Sequence, residues 1–490
     1  MNKKILCFII PTLIFTLAGC STSKGSSEKS EESKSEEQSS IAPEADEHYY
    51  DKINQRVKFD ESSELNFDDE ITEGLNDDVW NTLDGYWEAG GISPHNGVRR
   101  RNLFYTKDNT GNGYLAMKAR GVYNQTDPSI LGKPEGACIE SKNKLGPGRY
   151  EVYMAAMPRD GGVSAFWTYG SKTGSEATSQ NEIDIEIGGD AQYTNLWCTT
   201  WTTHTNKATH APDVSNICYM NDGRIHKYTF DWYTNYPGTG EGRIDWFIDG
   251  KFVQQISGGT VPAAETPVWL GIWLPSWAGN SLFIEDYMLI DRISYKSFDA
   301  SQDYEECRSY TTYVPKKPSE SDIQTVDFES ITTKLNKLSN AGFESTDEYR
   351  DNDMYGWIKQ TGYNSNVELS DEHTEGEHSF YITPGEGGTK KDVAYYHQEL
   401  TCAYEGFKYD FSIDAKLKDE ESKAYVWIWY NDYSGMRDIS KQKLEISSTS
   451  FTTISDTLKM PDGAGRLYIY LVVEKGGACF DNAKLCYVGL

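Results

Sequence analysis

Three carboxylates alternate with three isoleucines in the segment QNEIDIEIGG, residues 180–189. On a β-strand, residues two apart point to the same face, so Glu182, Asp184 and Glu186 share one face and the isoleucines share the other. Like charges stacked on one face repel each other, and this repulsion raises the pKa of at least one carboxyl group. A carboxyl group that stays protonated near neutral pH can act as a general acid, so the triplet predicts acid–base catalysis.

The same pattern also fits a solvent-exposed acidic strand or half of a calcium site. The neighbouring sequence favours catalysis, because aromatic segments precede and follow the triplet. GGVSAFWTYG carries Phe166 and Trp167, and NLWCTTWTTH places Trp197, Thr199 and Trp201 on one face of a strand. Aromatic rings stack on the apolar faces of sugars, so acids between such strands predict a cleft that binds and cleaves a polysaccharide.

Strands must position these side chains, and residues 61–300 have the pattern of an all-β domain. Short aromatic and β-branched runs are separated by Gly, Pro, Asn and Asp, and helical periodicity is nearly absent. This spacing predicts a β-sandwich, and IDGKF predicts a hairpin with Asp249 and Gly250 in its turn. Residues 301–324 are polar, contain two prolines and predict a linker. Residues 325–490 again alternate like strands and predict a second β-sandwich.

The first sixty residues predict export and membrane attachment. Residues 1–20 resemble a lipoprotein signal peptide, with two early lysines, an apolar run and LAGC ending at Cys20, the expected lipidation site. Residues 21–60 are rich in Ser, Glu and Lys and predict a disordered tether. We expect an extracellular, cell-surface lipoprotein that is monomeric and touches the membrane only through its anchor. The net charge of −28 argues against nucleic acid as a partner.

Cysteine usage after Cys20 indicates neither a disulfide framework nor a metal motif. Seven cysteines follow it, an odd number without metal-ligand spacing. Cys198 and Cys218 fit a disulfide, and free buried thiols fit the sequence at least as well.

About residues 65–298 resemble glycoside hydrolase family 16. The signature of that family is a strand of the form E-x-D-x-E, which EIDIE matches, and the segments GPGRYEVYM, IHKYTFDW, IDWFIDGK and LGIWLPSWAG resemble its other strands in the same order. The resemblance implies a concanavalin-like β-jelly-roll sandwich and a retaining, double-displacement reaction. It implies Glu182 as nucleophile, Glu186 as acid/base and Asp184 as the hydrogen-bond partner of the nucleophile. It implies no cofactor for catalysis.

The triplet has no bulge residue before its second glutamate, and in this respect the chain resembles the lichenase and xyloglucan-transferase branch of the family. This implies an endo-β-glucanase acting on mixed-linkage β-1,3-1,4-glucan or β-1,3-glucan. Two departures from lichenases concern the substrate: Glu140 stands where they carry a substrate-binding Arg, and Gly271-Ile272-Trp273 replaces N-L-W. The substrate-binding residues expected in this domain are Trp167, Trp201, Trp273, Trp277, Glu140 and His226. At position 226, however, a His is more often a hydrogen-bonded support.

Two other functions are compatible with the same fold. One is hydrolysis of a galactan or another β-linked glycan, or transfer of a sugar from the covalent intermediate. The other is a catalytically inactive, surface glycan-binding lipoprotein. The intact triplet argues against an inactive binder, because binding alone gains nothing from three carboxylates that repel each other.

The second domain carries an aromatic face of its own. In AYVWIWYN, Tyr425, Trp427 and Trp429 share one face of the strand, and the opposite face suits a core. Stacking on sugars and packing between sheets or domains both fit these rings. The segments NAGFES and CFDNAKL resemble the first and last strands of carbohydrate-binding modules of families 4 and 9. That resemblance implies a structural calcium with Glu344 and Asp481 as candidate ligands.

Overall fold

A computed structural model describes residues 57–85, 97–123, 133–171, 179–190, 196–236, 240–299, 323–347, 353–387 and 392–490. The predicted signal peptide, nearly all of the tether, and Cys20 lie outside these ranges, as do residues 301–322 of the predicted linker. The helices in the described ranges are all too short to span a bilayer. The described residues form two β-sandwiches, which confirms the predicted all-β fold class.

The larger sheet of the first sandwich has nine strands, in the order β13-β12-β11-β6-β15-β4-β3-β16, with β1 added on β15. Neighbouring strands are antiparallel, except that β16 runs parallel to β3. The strands are β1 Phe67–Glu70, β3 Leu103–Lys107, β4 Gly113–Arg120, β6 Gly148–Ala155, β11 His226–Tyr233, β12 Arg243–Ile248, β13 Lys251–Ser257, β15 Glu285–Ser297 and β16 Gln324–Thr325.

The other sheet has seven strands, in the order β10-β9-β8-β7-β14-β5-β2. They are β2 Trp80–Thr82, β5 Ala137–Ser141, β7 Val163–Ser171, β8 Ser179–Gly188, β9 Trp197–Thr203, β10 Lys207–His210 and β14 Val268–Trp273. The described part of this domain also contains three short 3₁₀ turns, at Ile71–Glu73, Arg100–Asn102 and Ser276–Ala278.

One apolar core fills the space between the two sheets. Ile183, Ile185 and Ile187 of β8 are fully buried in it, together with Tyr150 and Phe230 of the nine-stranded sheet. Because successive side chains on a strand alternate, burial of the isoleucines turns the acids of β8 to the outer face. We call this outer face of the seven-stranded sheet the acid face.

The predicted hairpin turn joins β12 to β13. Asp249 and Gly250 have φ values of 49° and 77°. Positive φ at both central residues is the requirement of a type I′ turn, which the Asp-Gly pair meets at little cost because glycine has no Cβ.

The second sandwich consists of two five-stranded sheets, with the orders β19-β22-β27-β24-β25 and β20-β21-β28-β23-β26. The first contains β19 Ile358–Lys359, β22 Ala394–Leu400, β24 Lys423–Asn431, β25 Asp438–Ile446 and β27 Arg466–Lys475. The second contains β20 Ser365–Ser370, β21 Ser379–Pro384, β23 Lys408–Leu417, β26 Thr452–Lys459 and β28 Ala478–Gly489. A small ribbon pairs β17 Thr346–Asp347 with β18 Asp353–Met354.

The start of the second sandwich differs from the predicted boundary at residue 325. Strand β16 pairs with β3 of the first sandwich, and the short helix α1, Phe328–Ile331, follows it. Ile331 and Leu335 pack against Tyr287 and Leu289 of the first sandwich. The apolar side chains of this segment therefore bind it to the first sandwich, and the second sandwich begins after about residue 335.

The end of strand β8 is held by Arg466 and Cys402 of the second sandwich and by Asn221 of the first. Arg466 Nη2 lies 2.8 Å from Asp190 Oδ1, and both side chains are buried. The Cys402 thiol donates to the carbonyl oxygen of Gly189 at 3.0 Å. The amide of Asn221 donates to the carbonyl oxygen of Gly188 at 3.2 Å. We call these contacts of Gly188, Gly189 and Asp190 the joint.

Aromatic and charged contacts extend the joint on both sides. Tyr404 donates a hydrogen bond to Asn221 and stacks on Tyr219, with ring centroids 4.4 Å apart. Farther along, Lys337 Nζ lies 2.7 Å from Asp286, and both are buried. The two sandwiches accordingly belong to one compact unit.

The cysteines that the structure describes are all free thiols, so the disulfide between Cys198 and Cys218 is absent. Cys198 points into the core from β9, whereas Cys218 is partly exposed in the loop before β11.

Candidate active site

The acid face carries the three predicted catalytic carboxylates in one row along β8. Asp184 is buried, and Glu182 and Glu186 are partly exposed on either side of it. Asp184 lies opposite Thr199 of β9 and Trp167 of β7. On the same two strands, Glu182 lies opposite Trp201 and Tyr169, and Glu186 lies opposite Trp197 and Ala165. The acids therefore lie between two strands with aromatic side chains, as the sequence predicts.

A buried indole fixes the backbone of this row from the core side. Trp246 of β12 is fully buried, and its Nε1 donates to the backbone carbonyl oxygen of Asp184 at 3.1 Å. On the neighbouring strand, Thr168 Oγ1 accepts a hydrogen bond from the backbone N–H of Ile183 at 3.1 Å. The nine-stranded sheet thus contributes to the position of the acids without reaching the acid face.

Burial raises the pKa values of all three acids, and repulsion from neighbouring carboxylates adds to this effect at Glu182 and Asp184. Burial and the charge of Glu186 raise the pKa of Glu182 well above its usual value. Burial, together with both glutamates, does the same for Asp184. Burial raises the pKa of Glu186 to about 7. At neutral pH the row therefore retains protons that isolated carboxyl groups would have lost, so it can donate a proton and carry a negative charge.

Lys207 acts on the same row, although the sequence did not point to it. Strand β10 pairs with β9 so that Lys207 lies opposite Trp201, and its ammonium is 4.3 Å from the centroid of the indole ring. Its positive charge opposes the effect of burial by lowering the pKa values of Asp184 and Glu186. The Trp201 side chain also hydrogen-bonds Asp184. A cation–π contact and a hydrogen bond thus link this edge of the sheet to the acids.

Three tryptophans form an aromatic wall at the Glu186 end of the row. Trp277 is 46% exposed, and its ring lies 5.1 Å from that of Trp197 and 5.6 Å from that of Trp273, centroid to centroid. An exposed indole supported by two others is suited to stacking on a sugar ring. Trp197 was missing from the predicted site residues, although its alternation with Trp201 gave the signal.

Trp167 and Glu140 are on the acid face but are covered by protein. Trp269 of β14 lies opposite Glu140 of β5 on one side and Trp167 of β7 on the other. The three residues are between 1% and 6% exposed. Among the described residues, neither carboxylate oxygen of Glu140 has a hydrogen-bond partner, and burial raises the pKa of Glu140 to about 7. Direct contact of these two residues with substrate remains a prediction, and their burial favours a supporting role.

His226 lies on the other sheet, away from the acid face. It begins β11, and its Nδ1 lies 2.8 Å from Asp249 Oδ2, while its Nε2 lies 3.3 Å from Asp222 Oδ1. The substrate-binding role predicted for His226 is therefore corrected to that of a hydrogen-bonded residue of the nine-stranded sheet. His226 was named as a candidate through the family resemblance, which also implied that a His here is more often a hydrogen-bonded support.

The second sandwich carries a separate aromatic groove of about 460 Å³. Tyr425, Trp427 and Trp429 of β24 line it, whereas Val426 and Ile428 of the same strand are fully buried in the core, as the alternation predicts. The other lining residues are Gln360, Tyr363, Val393, Tyr395, Lys441, Tyr470 and Glu474. We call this surface the module groove.

Two lysines cover part of the aromatic surface of the module groove. Lys441 Nζ is 3.7 Å from the ring centroid of Trp429 and 5.6 Å from that of Trp427. Lys443 Nζ is 3.8 Å from the ring centroid of Tyr425. Of the three predicted rings, Trp427 is thus the least covered by an ammonium group, so we expect it to contribute most to stacking on a sugar.

The two predicted calcium ligands lie against the same loop of the second sandwich. Glu344 accepts hydrogen bonds from the backbone N–H groups of Glu377 and His378, each at 3.0 Å. Asp481 is fully buried and accepts from Thr374 and from the backbone N–H of Glu375. These donors already compensate both carboxylates, so the donor set does not require a cation, and the structural calcium stays a prediction.

Comparison with known families matches both sandwiches. Residues 101–282 match the model of glycosyl hydrolases family 16, and residues 335–477 match the model of a carbohydrate binding domain. Both resemblances predicted from the sequence are thereby confirmed. The first match includes the entire acid triplet and the aromatic wall, and the second includes most of the module groove.

Individual relatives match only part of the chain. A xylanase/beta-glucanase of Ruminococcus flavefaciens is 30% identical over 161 residues, which are 31% of this chain and 18% of that protein. A beta-glucanase of Acetivibrio thermocellus is 32% identical over 177 residues, 34% of this chain and 46% of that protein. The chain thus spans less than half the length of these curated relatives.

Among solved structures, a prokaryotic beta-1,3-1,4-glucanase (lichenase) derived from a mouse hindgut metagenome is 23% identical, with a TM-score of 0.36. The alignment covers 47% of this chain and 98% of that one. The Bacillus licheniformis beta-glucanase is 24% identical, with a TM-score of 0.36, and the alignment covers 47% of this chain and 97% of that one.

Proposed function

We propose that this chain, in which a family 16 glycosyl hydrolase domain precedes a carbohydrate binding domain, is a retaining endo-β-glucanase. Its proposed substrate is mixed-linkage β-1,3-1,4-glucan or β-1,3-glucan. The observation that carries the proposal is the row of Glu182, Asp184 and Glu186 on one face of β8, inside the family match and between aromatic strands. The names of the beta-glucanase relatives support the substrate class.

The proposed reaction uses the two glutamates in turn. In the first step, the Glu182 carboxylate attacks the anomeric carbon, the bond to the glycosidic oxygen breaks, and Glu186 gives its proton to that oxygen. In the second step, Glu186 takes a proton from water, the water oxygen attacks the same carbon, and the bond to Glu182 breaks. Asp184 lies between the two, and burial together with the charges of both glutamates raises its own pKa.

The test is hydrolysis of a panel of soluble polysaccharides: mixed-linkage glucan, laminarin, xyloglucan and galactans. We expect new reducing ends from mixed-linkage glucan or laminarin, and NMR should show the β-anomer as the first product. Cleavage of galactans alone would replace the proposed substrate, and inversion at the anomeric carbon would contradict the proposed mechanism. Absence of cleavage of every polymer that the protein binds would contradict the enzyme itself.

The pH dependence of the reaction should follow the proton on Glu186. The acid step needs Glu186 protonated, so kcat/KM should fall as the pH rises through about 7, the value to which burial raises its pKa. Because the Lys207 charge lowers that pKa, Lys207→Met should move the alkaline fall to higher pH. Lys251→Met, at an exposed position on β13, is the matched control. An alkaline limb that is the same in all three proteins would contradict the role of Lys207.

We propose that the module groove binds the same class of polymer and keeps it near the acid face. Binding through a linked module raises the local concentration of substrate without changing the chemistry. The support is an open groove with several aromatic side chains on a domain that matches a carbohydrate binding family.

Trp427→Ala should weaken glucan binding by the second sandwich by about tenfold or more, because a central stacking ring is removed. Affinity electrophoresis in gels containing mixed-linkage glucan would measure this binding as retardation of the protein in the gel. Phe451→Ala, at a partly buried aromatic residue next to the other sheet, is the control for general effects on the module. Equal retardation of Trp427→Ala and the parent protein would exclude the groove as the binding surface.

We also propose that the protein works as a monomer at the outer cell surface, anchored through Cys20. The support is the sequence of residues 1–60. Detergent phase partition should place the mature protein in the detergent phase and a Cys20→Ala variant in the aqueous phase, and light scattering of the soluble variant should give the mass of one chain. Recovery of both proteins in the aqueous phase would contradict the anchor.

A further inference from the structure

Within the described residues, one group of side chains has the donor types and spacing of a metal site. It consists of Cys218, His226 and Asp249, and one ligand atom from each lies within 4.8 Å of the others. The group is separate from the acid face and plays no part in the proposed reaction.

The three residues come from three different segments that converge at one end of the nine-stranded sheet. Cys218 lies in the loop before β11, where its backbone N–H donates to the carbonyl oxygen of Val214 at 3.2 Å. His226 is the first residue of β11, and Asp249 is in the I′ turn between β12 and β13. The fold therefore fixes the donors independently of each other.

The imidazole is oriented by carboxylates on both of its nitrogens. Asp249 Oδ2 lies 2.8 Å from Nδ1, and Asp222 Oδ1 lies 3.3 Å from Nε2. The side chains of His226 and Asp222 are about 10% exposed, whereas that of Asp249 is 39% exposed, so the site opens to solvent on one side. An aspartate at the far nitrogen of a histidine is the arrangement that holds a metal-binding imidazole in place.

The electric field at this point favours positive charge. The carboxylates of Asp222 and Asp249 both lie within hydrogen-bond distance of the His226 imidazole. Arg224 Nε lies 3.8 Å from Asp222, and the Arg224 side chain is 55% exposed. Two carboxylates beside an imidazole and a thiol form a donor set that favours a divalent cation.

We propose that Cys218 Sγ, His226 Nδ1 and Asp249 Oδ2 bind a Zn²⁺ ion, with a water molecule as the fourth ligand. Sulfur, imidazole and carboxylate are the donors that zinc prefers, whereas calcium and magnesium prefer oxygen alone. Binding displaces the proton from Nδ1 and the proton of the Cys218 thiol, and Nε2–H donates to Asp222. The ion would tie the 218–222 loop, whose Asn221 belongs to the joint, to the β12–β13 turn.

The test is titration of the chelator-treated full chain with Co²⁺, which takes the place of zinc and gives a thiolate charge-transfer absorption. The parent protein and Cys486→Ser, at another partly exposed thiol, should bind one Co²⁺ per chain with this absorption, and Zn²⁺ should abolish it. Cys218→Ser should lose it. Absence of the absorption from the parent protein, or its persistence in Cys218→Ser, would overturn the proposal.

A second variant keeps the test decisive if Cys218→Ser does not fold. Asp249→Asn preserves the size of the turn residue and its αL preference but removes an anionic ligand. We expect its Co²⁺ affinity to fall at least about tenfold, with circular dichroism unchanged. Unchanged affinity in a folded Asp249→Asn protein would exclude this donor set.

Discussion

Glu182→Gln should abolish glucan hydrolysis and at the same time make the protein more stable at neutral pH. Loss of the proposed nucleophile should lower kcat by about 10³-fold or more, because Gln cannot form the covalent intermediate. Stability should rise because burial and Glu186 raise the folded-state pKa of Glu182 well above the unfolded value of about 4.3. Such a group weakens the fold progressively as pH rises above the unfolded value, and the neutral amide removes this penalty.

The two effects can be measured on the same preparations. The unfolding temperatures of the parent and of Glu182→Gln should nearly coincide near pH 4, where Glu182 is largely protonated in both the folded and the unfolded protein. They should diverge as the pH rises to 8. Glu151→Gln, at a partly exposed glutamate on β6 paired with Lys227, is the control, and it should keep full activity. A variant without activity that is also less stable at every pH would indicate that Glu182 supports the fold rather than the chemistry.

Arg466→Ala should destabilise the protein strongly and impair the acid row. The change leaves Asp190, which is 9% exposed, without its partner at 2.8 Å, and it also removes the ion pair with Glu399. Breaking a buried pair from one side costs roughly 3–5 kcal/mol, because a charge is left in a low-dielectric environment. Asp190 lies four residues beyond Glu186, so disorder at the joint should lower kcat as well as the free energy of unfolding.

Urea unfolding and steady-state kinetics would measure the two consequences. Arg437→Ala is the matched control, because Arg437 is exposed on the same sandwich. The double variant Arg466→Met with Asp190→Leu removes both charges and should recover much of the lost stability. If Arg466→Ala and Arg437→Ala have the same unfolding curve, the ion pair contributes little and the two sandwiches are held by other contacts.

The features that the sequence predicts best are those that depend on the alternation of side chains over a few neighbouring residues. Alternation along β8 and β24 identified the outward acids and the outward aromatic rings, because burial of Ile183 and Val426 leaves no other register. The all-β class and the Asp249-Gly250 turn follow from equally local signals. The row of carboxylates could be predicted for the same reason, since its neighbouring members are two residues apart.

Contacts between distant segments could not be predicted. Lys207 reaches the acids only through the pairing of β10 with β9, and nothing in KATH indicates that register. Arg466 and Asp190 are 276 residues apart, so neither signals the other. The cluster of Cys218, His226 and Asp249 has none of the ligand spacings that mark a metal site in a sequence, because its donors come from three segments. His226 was named through the family resemblance, and its place on the other sheet is decided by long-range packing.

The joint has a consequence for engineering by domain exchange. Modular glycanases invite chimeras in which one binding domain replaces another across a flexible connection. Here a cut near residue 335 would expose the backbone of Gly188 and Gly189, the carboxylate of Asp190 and the ring of Tyr219 to water. A replacement domain would need donors equivalent to Cys402 and Arg466, so this pair of domains is better treated as a single exchangeable part.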